Sequence, residues 1–290
     1  MPNAASYPDF LVSTEWLAHH LDDPAVRVLD PSTLLLPRPD FSMYDAVAAR
    51  AEFEQGHVPG AAFVDLQREL SAPDPHLRFM LPDAQTFARA MAGYGVSDDS
   101  YVVAYSTGHH WWATRLWWML KVFGHERVAV LDGGFQKWRS ERRPVETGAA
   151  AARAAGRFTP REPNRQMVAT REEVLAAVGA NDVCNINALR PEQHAGTGGV
   201  YYGRRGHIAG SVNIPAAAQV DAGNTFRSLD ELRAQFAQAM QKPRVISYCG
   251  GGIAATSVAL ALAMLGHNSV KVYDASLTEW AADAELPMEM

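Results

Sequence analysis

Residues 123–138 read FGHERVAVLDGGFQKW, and residues 265–280 read LGHNSVKVYDASLTEW. The two segments align without a gap, so that Trp138 falls on Trp280. Similarity of this kind within one chain is typical of an internal duplication. The sequence therefore predicts two related domains.

A second repeated pair supports the duplication. GHVPGAAFVD at 56–65 and GHIAGSVNIP at 206–215 occur in the same order in the two halves. We predict a first domain at 1–145 and a second at 168–290. The stretch 146–167 between them has no apolar periodicity and is predicted to be a linker that runs over the surface of both halves.

Short apolar runs alternate with helical patterns in each half, which indicates the α/β class. The predicted strands are 26–30, 61–65, 101–105 and 128–132, followed by 182–186, 211–215, 244–248 and 270–274. The predicted helices are 83–95, 111–124, 228–240 and 253–266. Ser228 and Glu231 predict a capping box at the start of one helix. Each domain should therefore hold a mainly parallel sheet flanked by helices.

The composition excludes several classes of protein. The 290 residues are 48% hydrophobic and 20% charged, and the net charge of −6 argues against nucleic acid as a partner. Two cysteines form neither a disulfide framework nor a zinc site. Residues 1–20 do not resemble a signal peptide, and no apolar stretch suggests a membrane span. We expect a cytoplasmic enzyme.

Cys249 lies in the segment VISYCGGGIAATSV at 245–258, between a predicted strand and a predicted helix. Ligands of open α/β sheets bind at such crossings. The glycines and the helix N-terminus would direct backbone N–H groups at the sulfur and favour a nucleophilic thiolate. Cys184 lies inside an apolar run and is predicted to be core.

Familiar loop chemistries do not fit this segment. No Lys follows the glycines, as a phosphate-binding Walker loop would need. Ala255 stands where a Cys-x5-Arg phosphatase needs arginine, and Gly252 stands where a thioredoxin-like centre needs its second cysteine. A single-thiol transfer reaction remains.

The chain resembles the two-domain rhodanese family of sulfurtransferases in GHVPGA, GHIAGSVNIP, LDGGFQKW, YDASLTEW and CGGGIA. The resemblance implies two rhodanese-like domains, of which the first is catalytically silent. It implies a persulfide on Cys249, loaded by thiosulfate or 3-mercaptopyruvate and unloaded by cyanide or another thiophile. It implies no metal and no organic cofactor. Ser106 falls where Cys249 stands in the repeat, which agrees with a silent first half.

The substrate-binding residues are predicted from the loop and from the resemblance. The loop residues Gly250, Gly251, Gly252, Ile253 and Ala254 should bind an anion through their amides. Trp111 and Trp112 should wall the pocket, although packing at a domain interface is an equal alternative. Arg204 and Arg205 should supply the positive charge that the loop lacks.

Other motif residues have alternative interpretations. Asn187 and Leu189 replace an acidic residue and an arginine that are common in the family. His57 and His207 occur in both halves, which favours a structural role. The arginines and the small loop favour thiosulfate as donor. The alternatives are 3-mercaptopyruvate, or a relay module that receives persulfide from a protein partner.

Overall fold

The computed structural model describes residues 7–150 and 153–290. The predictions for the N-terminus and the linker fall partly on residues 1–6 and 151–152, which lie outside the described residues. In the part described, no helix is long and apolar enough to span a membrane.

The first half contains a five-stranded parallel sheet in the order β1-β7-β6-β2-β5. Two further strands, β3 and β4, pair with each other as an antiparallel hairpin that was not predicted. The strands are β1 (Leu11–Val12), β2 (Val26–Asp30), β3 (Thr33–Pro37), β4 (Tyr44–Ala48), β5 (Ala62–Phe63), β6 (Tyr101–Ala104) and β7 (Val128–Leu131). The helices are α1 (Thr14–His19), α2 (Arg50–Gln55), α3 (Leu66–Glu69), α4 (Ala84–Gly93), α5 (Trp111–Val122) and α6 (Gly134–Ser140).

The second half repeats this design with a parallel sheet in the order β11-β9-β12-β13-β8. The strands are β8 (Val168–Ala169), β9 (Val183–Asn187), β10 (His207–Ile208), β11 (Val212–Asn213), β12 (Arg244–Tyr248), β13 (Val270–Tyr273) and β14 (Met288–Glu289). The helices are α7 (Arg171–Ala177), α8 (Pro191–His194), α9 (Leu229–Gln235), α10 (Ala237–Met240), α11 (Ala255–Met264) and α12 (Ser276–Trp280). Short 3₁₀ helices span Arg165–Met167 and Ala216–Gln219.

The predicted fold class and the capping box are confirmed. The Ser228 side chain accepts from the N–H of Glu231, whose carboxylate binds the Ser228 N–H in return. The predicted helix at 228–240 is divided at Phe236, where α9 ends and α10 begins. Residues 153–164 form their hydrogen bonds beyond the linker with the first half, whereas Arg165–Met167 contacts β13 of the second half. The described part of the linker therefore touches both halves.

The duplication is visible in matching hydrogen bonds. The Tyr105 hydroxyl accepts from the N–H of Val58 at 3.3 Å, and the Tyr248 hydroxyl accepts from the N–H of Ile208 at 3.0 Å.

The two motif histidines have equivalent structural surroundings. His57 lies 3.7 Å from Glu146, and His207 lies 3.6 Å from Glu289. In each pair the histidine is buried and its Nδ1 contacts a backbone carbonyl. These contacts agree with the predicted structural role.

The two halves pack against each other through α5 and α11, both of which are apolar on nearly all sides. Thr114 and Thr256 occupy equivalent positions on these helices, and their hydroxyls are 2.8 Å apart. Strand-end carboxylates bind the opposite half. Asp274 accepts from the N–H of Leu81 at 2.9 Å, and Asp132 accepts from that of Phe226 at 2.8 Å. The duplication thus produces a nearly symmetric interface.

Asp30, at the end of β2, is a buried carboxyl group with a matched neutral counterpart. Burial raises the pKa of Asp30 to about 6. Its Oδ1 accepts from the N–H of Ser32 at 2.9 Å, just as the Asn187 side chain accepts from the N–H of Leu189 in the second half. An amide therefore occupies the equivalent position in the second half, where its oxygen is bonded and its Nδ2 has no partner among the described residues.

We predict that Asp30→Asn stabilises the protein by an amount that grows from about pH 4 and is complete above the raised pKa. The folded state favours the protonated carboxyl group, so the wild type loses stability between pH 4 and pH 6, and asparagine removes this loss. The expected gain is about 2–3 kcal/mol at pH 8 and close to zero at pH 4. Thermal unfolding at both pH values tests this. An equal change in melting temperature at the two pH values would contradict it.

Candidate active site

A cavity of about 340 Å³ lies between the two halves, with Cys249 in its wall. Cys249 is 2% exposed and follows directly after β12. The first half contributes the inner face of the hairpin β3–β4, the turn around Phe79 and the start of α5. The second half contributes the loop after β12, the end of β9 and Tyr202. The two halves therefore build the site jointly.

The carbonyl groups of the cysteine loop are tied to the protein. The carbonyl of Cys249 accepts from the N–H of Leu277 at 3.1 Å. The carbonyl of Gly250 accepts from the N–H of Thr278 at 2.9 Å and from its hydroxyl at 2.7 Å. The equivalent bond in the first half joins the N–H of Phe135 to the carbonyl of Ser106 at 3.1 Å. Ser106 thus occupies the cysteine position of the first half, as predicted.

Ser276 holds the loop from behind. Its hydroxyl accepts from the N–H groups of Cys249 at 3.0 Å and Gly252 at 3.1 Å, and it donates to the carbonyl of Tyr273. Ser276 is buried with φ +53°, and Gly134 has φ +56° at the equivalent place. These two amides therefore do not face a ligand. Within the described chain, the amides of Gly250, Gly251, Ile253 and Ala254 have no acceptor.

The first half reaches into the cysteine loop through Arg115. This arginine is 1% exposed, and its Nη1 donates to the carbonyl of Gly252 at 3.1 Å and to the carboxylate of Asp274 at 2.5 Å. Its Nη2 donates to the carbonyl of Phe79. Gly252 has φ +74°, and a Cβ there would overlap Asp274. Arg115 therefore joins the cysteine loop to the first-half turn that borders the cavity.

Most of the predicted site residues line the cavity. These are Trp111, Trp112, Cys249, Gly250, Gly251, Ile253 and Ala254. Trp112 is 1% exposed, and Trp111 stacks on His109 with the ring centroids 3.9 Å apart. Gly252 does not line the cavity, and its amide and carbonyl are bound by Ser276 and Arg115.

The expectation for the two arginines is corrected by the structure. Arg204 donates to the backbone carbonyls of Trp280, Ala281, Asp283 and Leu286, so it anchors the C-terminal segment. Arg205 lies over the ring of Tyr201 at 4.5 Å and borders a separate surface depression.

Arg78 and Arg190 are the arginines of the cavity wall. Arg190 is exposed just after β9. Burial, and to a lesser extent the charge of Arg190, lowers the pKa of His109. Arg78 donates to the carbonyl of Tyr44 at 2.7 Å. Arg190 directly follows Leu189, the residue that stands where the family commonly has arginine. An arginine next to that position in the sequence could therefore have indicated Arg190 as a residue of the site.

Comparison with known proteins gives consistent results. A family model for the rhodanese-like domain matches residues 13–141 and 170–283. The chain is 34% identical to the 3-mercaptopyruvate sulfurtransferase of Escherichia coli K12 over 291 residues, covering 97% of this chain and 98% of that protein. It is 33% identical to the thiosulfate sulfurtransferase of Rattus norvegicus over 285 residues, covering 93% and 91% of the two chains.

The fold comparison agrees with the sequence comparison. The crystal structure of SseA from Escherichia coli, described as a 3-mercaptopyruvate sulfotransferase with the rhodanese fold, is similar with a TM-score of 0.81 at 34% identity. The match covers 93% of this chain and 99% of that chain. The predicted family resemblance is confirmed.

Proposed function

The chain belongs to the rhodanese family of sulfurtransferases, and from this premise we propose that it carries sulfur as a persulfide on Cys249 with 3-mercaptopyruvate as donor. A thiophilic acceptor, such as cyanide or a second thiol, then removes the sulfur. The sequence alone favoured thiosulfate, because Arg204 and Arg205 were expected beside the loop. Their actual contacts remove that argument.

The distribution of charge around the cavity carries the choice of donor. The residues next to Cys249 in the sequence are uncharged, whereas Arg78 lines the cavity from the first half and Arg190 lines it from the segment after β9. In thiosulfate the negative charge lies on the transferred sulfur itself and on the sulfonate oxygens one bond away from it. In 3-mercaptopyruvate a methylene and a carbonyl separate the sulfur from the carboxylate. Guanidinium groups that belong to the cavity wall but not to the cysteine loop suit the second arrangement.

The loop supports the first half-reaction by binding the sulfur anion. The amides of Gly250, Gly251, Ile253 and Ala254 are free to receive a thiolate or a persulfide, and α11 adds the positive end of its dipole. Trp111, Trp112 and Phe79 form an apolar wall that limits the access of water. The amides and the helix end stabilise negative charge on sulfur.

We predict that Arg190→Ala weakens the use of 3-mercaptopyruvate. Loss of a charge-assisted hydrogen bond to the carboxylate should raise KM about 10-fold or more while kcat changes little. Steady-state kinetics with 3-mercaptopyruvate and cyanide provide the measurement. Arg205→Ala is the matched control, since Arg205 stacks on Tyr201 outside the cavity and should leave KM unchanged. An unchanged KM in Arg190→Ala would contradict the proposed carboxylate site.

The remaining predictions from the sequence have separate tests. Faster loading by thiosulfate than by 3-mercaptopyruvate would reverse the donor assignment. Loading by neither donor would favour a relay module that is supplied by a protein partner. A protein acceptor and a cytoplasmic location stay predictions.

A further inference from the structure

Tyr202 is a cavity residue with a polar group beside the nucleophile and no assigned role. It lies in the loop between α8 and β10, and it lines the cavity together with Cys249 and Gly250. Its ring lies so close over Gly250 that a Cβ on that glycine would overlap the ring and the hydroxyl oxygen. Glycine at position 250 therefore makes room for the tyrosine, which brings the phenol to the first residue after the cysteine.

The hydroxyl of Tyr202 is available as a donor. Burial and the neighbouring Cys249 raise the pKa of Tyr202, so the phenol keeps its proton at neutral pH. No hydrogen bond to the described residues contributes to this shift. A half-buried phenol of this kind can donate to a ligand without first losing a partner among the described residues.

We propose that Tyr202 is a catalytic residue that donates a hydrogen bond to the ketone oxygen of the sulfur donor as the carbon–sulfur bond breaks. This role rests on the proposed function, since it requires a donor with a carbonyl next to the carbon that carries sulfur.

The step is balanced as follows for 3-mercaptopyruvate. The Cys249 thiolate forms a bond to the donor sulfur, and the bond between that sulfur and C3 breaks. The electron pair of the broken bond passes to the carbon skeleton and gives the enolate of pyruvate. The cysteine sulfur is oxidised to the persulfide level, and C3 is reduced and later takes a proton from water.

Negative charge collects on the former ketone oxygen during this step. The carboxylate at the far end of the donor keeps its charge unchanged, so Arg78 and Arg190 bind donor and transition state alike. A hydrogen-bond donor that faces the ketone oxygen behaves differently. Its hydrogen bond becomes stronger as negative charge develops on that oxygen, and it therefore lowers the barrier. Among the described residues of the cavity wall, Tyr202 combines a free hydroxyl with direct packing on the cysteine loop.

The two sulfur donors separate this chemistry from a packing role. Thiosulfate releases sulfite and forms no enolate, so it does not need the phenol. Tyr202→Phe keeps the ring over Gly250 and removes only the hydroxyl. We expect persulfide loading from 3-mercaptopyruvate to slow by about 10- to 100-fold. KM should change by less than about threefold, and the rate of loading from thiosulfate should stay within about twofold of wild type.

Rapid-mixing experiments on the full chain measure both loading rates, with Tyr201→Phe as the matched control. Tyr201 precedes Tyr202 but lies outside the cavity wall, so its variant should match wild type with both donors. Equal slowing of Tyr202→Phe with both donors, a rise in KM without a fall in kcat, or no effect would overturn the catalytic role. If wild type loads from thiosulfate alone, the donor assignment fails and the role of Tyr202 fails with it. If wild type loads from 3-mercaptopyruvate and Tyr202→Phe is unaffected, only the role of Tyr202 fails.

Discussion

Replacing Cys249 by serine should abolish sulfur transfer, with a fall in turnover of roughly 10⁴-fold or more. A hydroxyl at neutral pH is not ionised and is a poor acceptor of sulfur. The fold already contains a serine in the equivalent place of the first half. The carbonyl of Ser106 accepts a hydrogen bond from an N–H of α6, just as the carbonyl of Cys249 accepts one from an N–H of α12. Cys249→Ser should therefore fold normally. Thiocyanate formation from 3-mercaptopyruvate and cyanide measures turnover.

Cys184 provides the matched control for this substitution. It is 4% exposed within β9 and belongs to the hydrophobic core. Cys184→Ala should keep full turnover and lose about 1 kcal/mol or more of stability through the cavity it leaves. Turnover retained by Cys249→Ser, or lost in a folded Cys184→Ala protein, would show that the assignment of the nucleophile is wrong.

Removing Arg115 should be the most damaging change outside the cysteine loop. Arg115→Met leaves the buried carboxylate of Asp274 without its partner, and it frees the carbonyls of Gly252 and Phe79. Breaking a buried pair in this way costs about 3–5 kcal/mol. We expect a large fall in the melting temperature. At temperatures where the variant is still folded we also expect a lower kcat, because the cysteine loop loses its link through Arg115 to the first half. Thermal unfolding and steady-state kinetics measure the two effects.

An exposed ion pair provides the comparison. Arg161 lies 3.2 Å from Asp98, and both side chains are 39% exposed. Arg161→Met should cost only about 0–1 kcal/mol because solvent screens the pair. Equal melting temperatures for the Arg115→Met and Arg161→Met variants would contradict a large contribution of the buried Arg115–Asp274 pair to stability.

Local patterns were sufficient to predict the core of the fold and the place of Cys249 in a loop between a strand and a helix. The central strands of both sheets are short apolar runs, and the loop at Cys249 has its strand, glycines and helix in immediate succession. Both features depend on neighbours in sequence, so they can be interpreted without knowledge of the tertiary structure. The repeated segments then supplied the domain organisation.

The hairpin β3–β4 could not be predicted in the same way. Leu35 and Ala46 line the cavity, whereas Leu34, Leu36 and Val47 are exposed on the other face of the hairpin. Apolar residues on both faces obscure the alternation that normally indicates a strand with one buried face.

The charged and polar groups of the cavity also depend on distant contacts. Arg204 was predicted to bind substrate, but its long side chain reaches carbonyl groups about 80 residues later in the chain. Tyr202 reaches the cavity because Gly250 has no side chain, which is a contact between separate segments.

The intact mass of the protein after incubation with 3-mercaptopyruvate tests most directly whether Cys249 carries sulfur as a persulfide. We predict a gain of one sulfur atom that disappears when cyanide is added and that is absent from Cys249→Ser. No gain in mass, or a gain that persists in Cys249→Ser, would contradict a persulfide on Cys249 as the carrier of sulfur.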